Sequence, residues 1–398
     1  TSEYPPQPGG VSDYTRIVAE GLAAAGDEVH VWCPNLECGD LAPLSQRSLQ
    51  LDCSHDAEHQ SGVEPPHSRV FVHSEMSGFA PRDLRRTSRR LNQFPAPRRV
   101  LVQWVPHGYG FRSMNLVFCL WLWLRSLRGD RVELMVHEPS LGFGEGTWKH
   151  NVVAFVHRLM TIVLLRATRR VWVSIPAWET RWRPYALGRA VEFHWLPVGS
   201  NIPTVGAPQQ ARQVRAHFVN DGCLLVGHFG SYDTNTSDLL LKSVPELLRE
   251  ENTRLLLLGY GSEQMRDALV AHDASIADRI HATGSLSAAE LSPHISACDL
   301  MLQPYIDGVS SRRTSTMTAL SHGVPVATTR GKFTESLWAE SKAIALAPVE
   351  DVSQLIKETR RLLPEAAARN GIRTAARKFY IEHFDSARTI ARLREDTV

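Results

Sequence analysis

The chain lacks any apolar run long enough to cross a bilayer. Its most apolar stretch, Asn115 to Leu124, falls well short of the roughly 20 residues a spanning helix needs. Net charge is almost absent. The 44 basic and 42 acidic residues leave +2, which argues against a globally basic nucleic-acid binder. Cysteine is sparse and scattered. Cys33, Cys38, Cys53, Cys119, Cys223 and Cys298 form no CxxC pair and no zinc spacing, so a reduced, cytoplasmic compartment is expected. No signal-peptide pattern is read at the start, and no internal repeat of short period is visible.

What is present is length and alternation. The 398 residues exceed one ordinary domain, and 43% apolar content is enough for large cores. Strands are predicted at Glu28 to Cys33, Arg69 to His73, Val100 to Val105, Val132 to Val136 and Arg170 to Ser174. Helices are predicted between them at Val11 to Ala25, Arg82 to Leu91, Met114 to Leu127 and Asn151 to Ala167. Gln46 to His67, polar and carrying Pro65 and Pro66, reads as a loop or flap. The segment Pro197 to Pro208, rich in Gly, Pro, Ser and Asn, breaks the pattern and marks a domain boundary. Alternation then resumes with Leu224 to Phe229, a helix to about Arg249, and strands at Arg254 to Leu258, Asp299 to Gln303 and Val324 to Thr328. Two sets of βα units predict an α/β protein of two doubly wound parallel sheets facing each other. The chain opens on Thr1-Ser2-Glu3-Tyr4-Pro5-Pro6, which reads as the loop after a strand, so residues preceding Thr1 are expected.

The most informative stretch is Gly308-Val309-Ser310-Ser311-Arg312-Arg313, followed by Thr318 to Val326. It reads as a glycine loop entering a helix, a glycine stop at Gly323 and a buried strand. A helix N-terminus under a Gly/Ser loop aims free N–H groups and the positive dipole end at an anion such as a diphosphate. Two arginines at the loop exit suit phosphate oxygens.

Taken together, Glu3-Tyr4-Pro5-Pro6, Gly9-Gly10-Val11-Ser12-Asp13-Tyr14, Gly227-His228-Phe229-Gly230, Leu258-Gly259-Tyr260-Gly261, Ala297-Cys298-Asp299 and Gly308 to Pro325 resemble family-4 glycosyltransferases in order and spacing. The likeness covers nearly the whole chain. It implies the two-domain GT-B fold. Residues 1–200 would form an acceptor-binding Rossmann-like domain, and 201–381 a donor-binding one. The C-terminal helix, about 382–398, would cross back to the first. The resemblance further implies sugar transfer from a nucleotide-sugar with retained anomeric configuration. It implies no metal and no cofactor beyond the nucleotide-sugar co-substrate.

Each candidate has two readings. Gly9 and Gly10 form either a tight turn or a backbone approach to the donor phosphate, with Ser12 and Asp13 near the reacting centre; Asp13 also suits a helix start. His137 ends a buried strand, where catalytic groups concentrate. In the family a histidine here touches the donor sugar or its transition state; the alternative is a satisfied structural histidine. Glu138 and His107 are acceptor-side candidates. Gly230, Ser231, Gly259, Tyr260 and Gly261 would line the nucleotide by analogy, though a lone GxG is weak.

The chain departs from the family twice. The two usual glutamates around the phosphate helix are replaced by Ser310 and Thr318, and Thr318 offers the ribose only a neutral hydrogen bond. The usual Arg and Lys after the glycine turn are missing from Ser231 to Ser237. Arg312 and Arg313 are read as replacing that charge, against the alternative of surface arginines. Separately, Arg82, Arg85, Arg86 and Arg89 share one helical face, with Arg90 beside it and Arg98 and Arg99 following. It is either a solvated face or a contact for anionic membrane or a pyrophosphate-bearing acceptor. Trp121 and Trp123, inside the apolar run Val117 to Leu124, fit core packing or an interfacial anchor, and core packing is expected. The expected function is a retaining glycosyltransferase acting on a glycan or lipid-linked acceptor in cell-surface polysaccharide or glycolipid synthesis. It would be cytoplasmic or peripheral at the inner membrane face. A nucleotide-sugar epimerase and a non-catalytic partner of another transferase are the alternatives.

Overall fold

The computed structural model describes residues 1–7, 9–34, 70–76, 78–144, 146–220, 222–363 and 366–395. The expected flap at Gln46 to His67, with Cys38 and Cys53, lies outside them.

In the first half, α1 (Gly10–Ala24) leads to β1 (Val29–Pro34), β2 (Val70–Met76), α2 (Pro81–Leu91), β3 (Arg99–Trp104), α3 (Leu116–Leu127) and β4 (Arg131–Val136). Next come α4 (Trp148–Ala167), β5 (Thr168–Val173), α5 (Pro176–Trp182) and β6 (Glu192–Trp195). The second half runs α6 (Pro208–Phe218), β7 (Leu224–Phe229), α7 (Thr234–Leu247), β8 (Thr253–Leu258), α8 (Ser262–His272), β9 (Ile280–Ala282), α9 (Ala288–Ala297) and β10 (Leu300–Gln303). It ends with α10 (Thr314–Ser321), β11 (Val326–Arg330), β12 (Ile344–Pro348), α11 (Val352–Arg361), α12 (Ala366–His383) and α13 (Ser386–Arg394).

All strand pairs are parallel. β7 to β12 form one sheet in the order β12-β11-β10-β7-β8-β9. Leu255 to Leu258 of β8 are fully buried, the continuous apolar run that a strand covered by helices on both faces requires. In the first half, the described strands divide between a two-stranded sheet, β1-β2, and a four-stranded one, β3-β4-β5-β6. Helix α1 joins them, packing on β1 while Tyr14 and Val18 pack with Met135 and Trp172 of the larger sheet.

Differences from expectation have local causes. β6, β9 and β12 escape the pattern because the first two are short edge strands of four and three residues and β12 is rich in alanine. Val324 belongs to a turn after Gly323 (φ +68°), donating its N–H to the Ala319 carbonyl, so the strand begins at Val326. Helix α7 ends at Leu247, short of Arg249. Trp121 is half-buried and donates to Ser88 Oγ, whereas Trp123 is exposed, not core. Arg98 and Arg99 do not extend the arginine face, because they pair with Asp130 and Glu133.

Among the described residues the chain crosses between halves twice. Residues 196–207 form the first crossing, and their backbone and side chains are tied down on both sides. Val198 N–H donates to the Ser311 carbonyl, Asn201 to Asp13, and Ser200 N–H to the Tyr380 hydroxyl. The second crossing is the turn from α12 to α13. Helix α12 buries Ala376, Phe379 and Tyr380 in the second half's core, whereas α13 sets Leu393 and Ile390 against Tyr14 and Val18. The crossings touch: a Cβ on Gly199 would stand 2.8 Å from the Phe384 carbonyl oxygen.

The loop after β10 is fixed by a glycine pair. Gly308 has φ +81°, and a Cβ there would lie 2.2 Å from the Gly331 nitrogen. This contact is backbone against backbone and has no side-chain slack. Gly308→Ala should therefore cost about 3 kcal/mol or more. Gly129→Ala, at φ +92° with open space around it, should cost only about 1 kcal/mol. Thermal melts of the two variants check this; equal losses would refute the clasp.

Candidate active site

In an open parallel sheet, ligands bind beyond the carboxyl ends of the strands where the order reverses. In the second half that point lies between β7 and β10. Two loops diverge there: Gly230 to Asp233 after β7, and Pro304 to Arg313 after β10. Gly259 (φ +102°) brings the loop after β8 alongside, since a Cβ on it would stand 3.0 Å from the Gly230 carbonyl. Gly261, also left-handed, opens α8. Ser231 is exposed beside this wall, and the Tyr260 side chain points outward, 84% exposed.

The loop after β10 meets the first half through Ser311. The Ser311 hydroxyl lies 2.7 Å from the Ser174 carbonyl, at the end of β5, and 2.5 Å from Glu335 Oε1. Trp195 Nε1, at the end of β6, donates to that hydroxyl. Glu335 also accepts from Ser311 N–H and from Trp338 Nε1. The carboxyl ends of both parallel sheets thus face one another across this joint.

Arg312 and Arg313 both donate to Asp307, one to each carboxylate oxygen. Arg312 lies over the rings of Trp178 and Phe333, and Arg313 over Tyr305. Burial and the neighbouring Arg313 lower the Arg312 pKa, and Asp307 opposes them. One carboxylate under two guanidiniums leaves a formal excess of one positive charge. The Nε of each arginine is buried without a partner. Among the described residues, this is cationic donor capacity at the mouth of the α10 N-terminus. Val309, Ser310 and Ser311 are buried, and Ser310 Oγ has no partner. Thr318 is fully buried; it donates to the Thr314 carbonyl and meets Ser200 Oγ at 3.1 Å.

On the first half, His137 follows β4. Its Nε2 lies 2.8 Å from Gln103 Oε1, and its ring edge meets Tyr14. Its carbonyl accepts from Trp178 Nε1. Burial pulls the imidazole pKa down to about 3. Glu138 and His107 pair with each other at 3.5 Å, largely exposed, on the cleft side of the same strand ends. Glu138 also acts electrostatically on Arg312, which places it toward the arginine pair.

The N-terminus of α1, the expected phosphate approach, has an acidic side chain beside it. Glu3 already occupies it: Ser12 N–H donates to Glu3 Oε1 at 3.0 Å, and a Cβ on Gly9 would collide with that carboxylate at 2.5 Å. Gly9 thus leaves room for an internal anion beside the start of α1. Asp13 accepts from Asn201 Nδ2, while Ser12 is buried with its hydroxyl unpartnered. Gly10 and Thr314, at the starts of α1 and α10, line one recess with residues 198–201 and α13. It encloses about 10 Å³, at most a single water.

Several residues of this region carry no local sequence signal. Gln103, Trp178, Asn201 and Glu335 acquire their roles through long-range packing, whereas Asp307 meets its arginines within one loop. His228 was within reach, as part of the Gly227 to Gly230 motif. It is buried with Nδ1 on the Leu302 carbonyl and Nε2 unpartnered, directed toward Gly230, and burial lowers its pKa to about 4. Its Nε2 is thus a lone-pair acceptor beneath the switch-point loop. No group of three or more His, Cys, Asp or Glu side chains among the described residues is placed to hold a metal ion.

Solved structures align along both halves. Sucrose-phosphate synthase from Thermosynechococcus elongatus superposes with a TM-score of 0.68 at 16% identity, over 97% of this chain and 92% of that one. Alr3699/HepE of Anabaena, in complex with UDP-glucose, gives 0.62 at 13% identity over 98% and 96%. The fold is GT-B. WaaG, a glycosyltransferase involved in lipopolysaccharide biosynthesis, aligns with a TM-score of 0.60 at 16% identity over 98% and 96%. Within this GT-B chain, the family model Glycosyl transferases group 1 matches residues 221–365, the half that carries the switch point. No curated protein sequence matches significantly.

Both buried imidazoles are neutral when folded, but in the unfolded chain they titrate near 6.5. The unfolded state therefore binds more protons below about pH 6.5. Stability should fall as pH drops through the window from 6.5 to about 4 for His228 and about 3 for His137, by up to about 1.4 kcal/mol per pH unit per group. His137→Gln and His228→Gln should each flatten the fall in melting temperature between pH 6.5 and 4.5. An unchanged slope would contradict the assignment.

Proposed function

We propose that this chain is a retaining glycosyltransferase that moves a sugar from a nucleotide-sugar to an acceptor hydroxyl. The observation that carries the reading is the joint at the switch point. There the N-terminus of α10, with Arg312 and Arg313, opens toward His137 and Glu138 across the cleft. The Glycosyl transferases group 1 match over residues 221–365 and the UDP-glucose held by one structural neighbour support a nucleotide-sugar donor.

In this reading the donor diphosphate lies against the α10 dipole and the arginine pair. As the glycosidic bond breaks, negative charge grows on the leaving phosphate oxygens, and these fixed dipoles and cations stabilise it without reorganising. Asp307 holds both guanidiniums in place and tempers their charge. His137, kept neutral by burial and oriented by Gln103, presents an uncharged imidazole to the sugar, avoiding repulsion of an oxocarbenium-like centre. The acceptor enters from the His107 and Glu138 side, on the face that the diphosphate leaves. Its hydroxyl proton passes to the departing phosphate oxygen, so the scheme needs no separate base. Thr318, sealed beside Ser200, gives the ribose less than a glutamate would, which predicts modest donor affinity. A glycan or lipid-linked acceptor belongs to the same proposal.

Incubation with a panel of nucleotide-sugars and acceptors tests the reaction. Acceptor-dependent release of nucleoside diphosphate with retained configuration is the expected result. Sugar interconversion, or binding without turnover, would overturn it. Arg312→Ala and Arg313→Ala should each weaken nucleoside diphosphate binding about tenfold or more. His137→Ala should lower kcat/KM about a hundredfold while leaving that binding intact. If neither arginine variant changes affinity, the diphosphate is not held there.

A further inference from the structure

Helices α2, α3 and α4 lie side by side on the first half. Trp121 of α3 bonds Ser88 of α2, and α3 packs closely on α4. Their outward faces are not those of an ordinary soluble surface. On α3, Val117, Leu120, Leu124 and Leu127 recur at helical spacing and are all exposed, Leu127 at 68%. On α4, Trp148, Val152, Phe155 and Leu159 do the same, Trp148 at 71%. With Trp123 beside them, the two rows span roughly 16 Å by 20 Å of apolar surface. The exposed Phe111 and Phe143 extend it toward the cleft. Phe111, Arg112 and Ser113 all have positive φ, a strained presentation of that edge.

Charge decides what covers this face. Arg125 is buried against Asp130; apart from it the three helices carry eight basic side chains and one acidic, Asp83, although the chain as a whole is +2. Helices α3 and α4 contain no acidic residue at all. The exposed arginines at 82, 85, 86 and 89 flank the apolar rows on α2. Two copies of such a face would oppose like charges, whereas an anionic bilayer offers both an apolar layer and a negative headgroup plane. No described helix is long and apolar enough to cross a membrane.

We infer that the α3–α4 face inserts into the interface of an anionic lipid bilayer, with the α2 arginines on its headgroups. Docked this way, the loops bearing His107 and Glu138 stand at the membrane edge of the cleft. The surface is independent of the proposed reaction, so its test uses no substrate. The purified chain is sedimented with vesicles of phosphatidylcholine containing phosphatidylglycerol. Binding is expected, falling at least tenfold with pure phosphatidylcholine or in about 0.5 M salt. Phe155→Asp with Leu159→Asp should lower the partition coefficient about tenfold or more. Changing Arg82, Arg85, Arg86 and Arg89 together to Ala should lower it about fiftyfold or more. Ile381→Asp, an exposed site on α12, should leave it unchanged. The arginine variant touches no core side chain and keeps the test decisive should the aspartates disturb folding. Absence of binding to the anionic vesicles, or equal binding by both variants and the native chain, would overturn the inference. So would a dimer in sedimentation velocity that the aspartates dissociate without any vesicle binding.

Discussion

Ser311 is the point on which the two halves agree. One hydroxyl meets a carbonyl at the end of β5, a tryptophan from the end of β6, and a carboxylate from the loop after β11. None of these groups is near another in sequence. Ser311 and Ser174 are buried and Trp195 and Glu335 partly so, and leaving these polar groups unpaired would be costly. The network therefore fixes where the second sheet's switch point stands relative to the first sheet. The position of the arginine pair and of His137 follows from it.

Around that joint the chain holds charge close to balance rather than accumulating it. Asp307 lies under two guanidiniums, and Glu3 fills the start of α1. At the α10 end the two arginines over one carboxylate keep a surplus of cationic donors. The start of α1, the other helix N-terminus at the recess, already meets the Glu3 carboxylate.

Much of this was legible from residue order. The alternation of strands and helices, the interruption of that pattern over Pro197 to Pro208 and the glycine entry to α10 are local signals, and local signals survive reading without a structure. Boundaries failed where a turn hid inside an apolar run, as at Val324. Whole strands failed where they were short edges, as with β6 and β9. The partners of the candidate site were the least legible. Glu335 and Trp195 lie far from Ser311 along the chain, and no periodicity connects them. The same holds for Gly9: the glycine was conspicuous, but the Glu3 carboxylate beside it depends on how the first loop folds back. The apolar run at Asn115 to Leu124 was noticed for its length, yet length cannot say which of its faces is covered.

The contact between Gly199 and Phe384 has a mechanical consequence. Both passages of backbone between the halves run through this one spot, and α13 is anchored beyond it on the opposite half. A rotation that kept both connections and broke the Ser311 contacts would have its axis near this spot, as a lid turns on a short hinge pin. Displacements are then smallest beside Gly199 and grow with the lever arm toward the far rim of the cleft. A few degrees of rotation, imperceptible at the pin, would be enough to change the size of the opening through which anything enters.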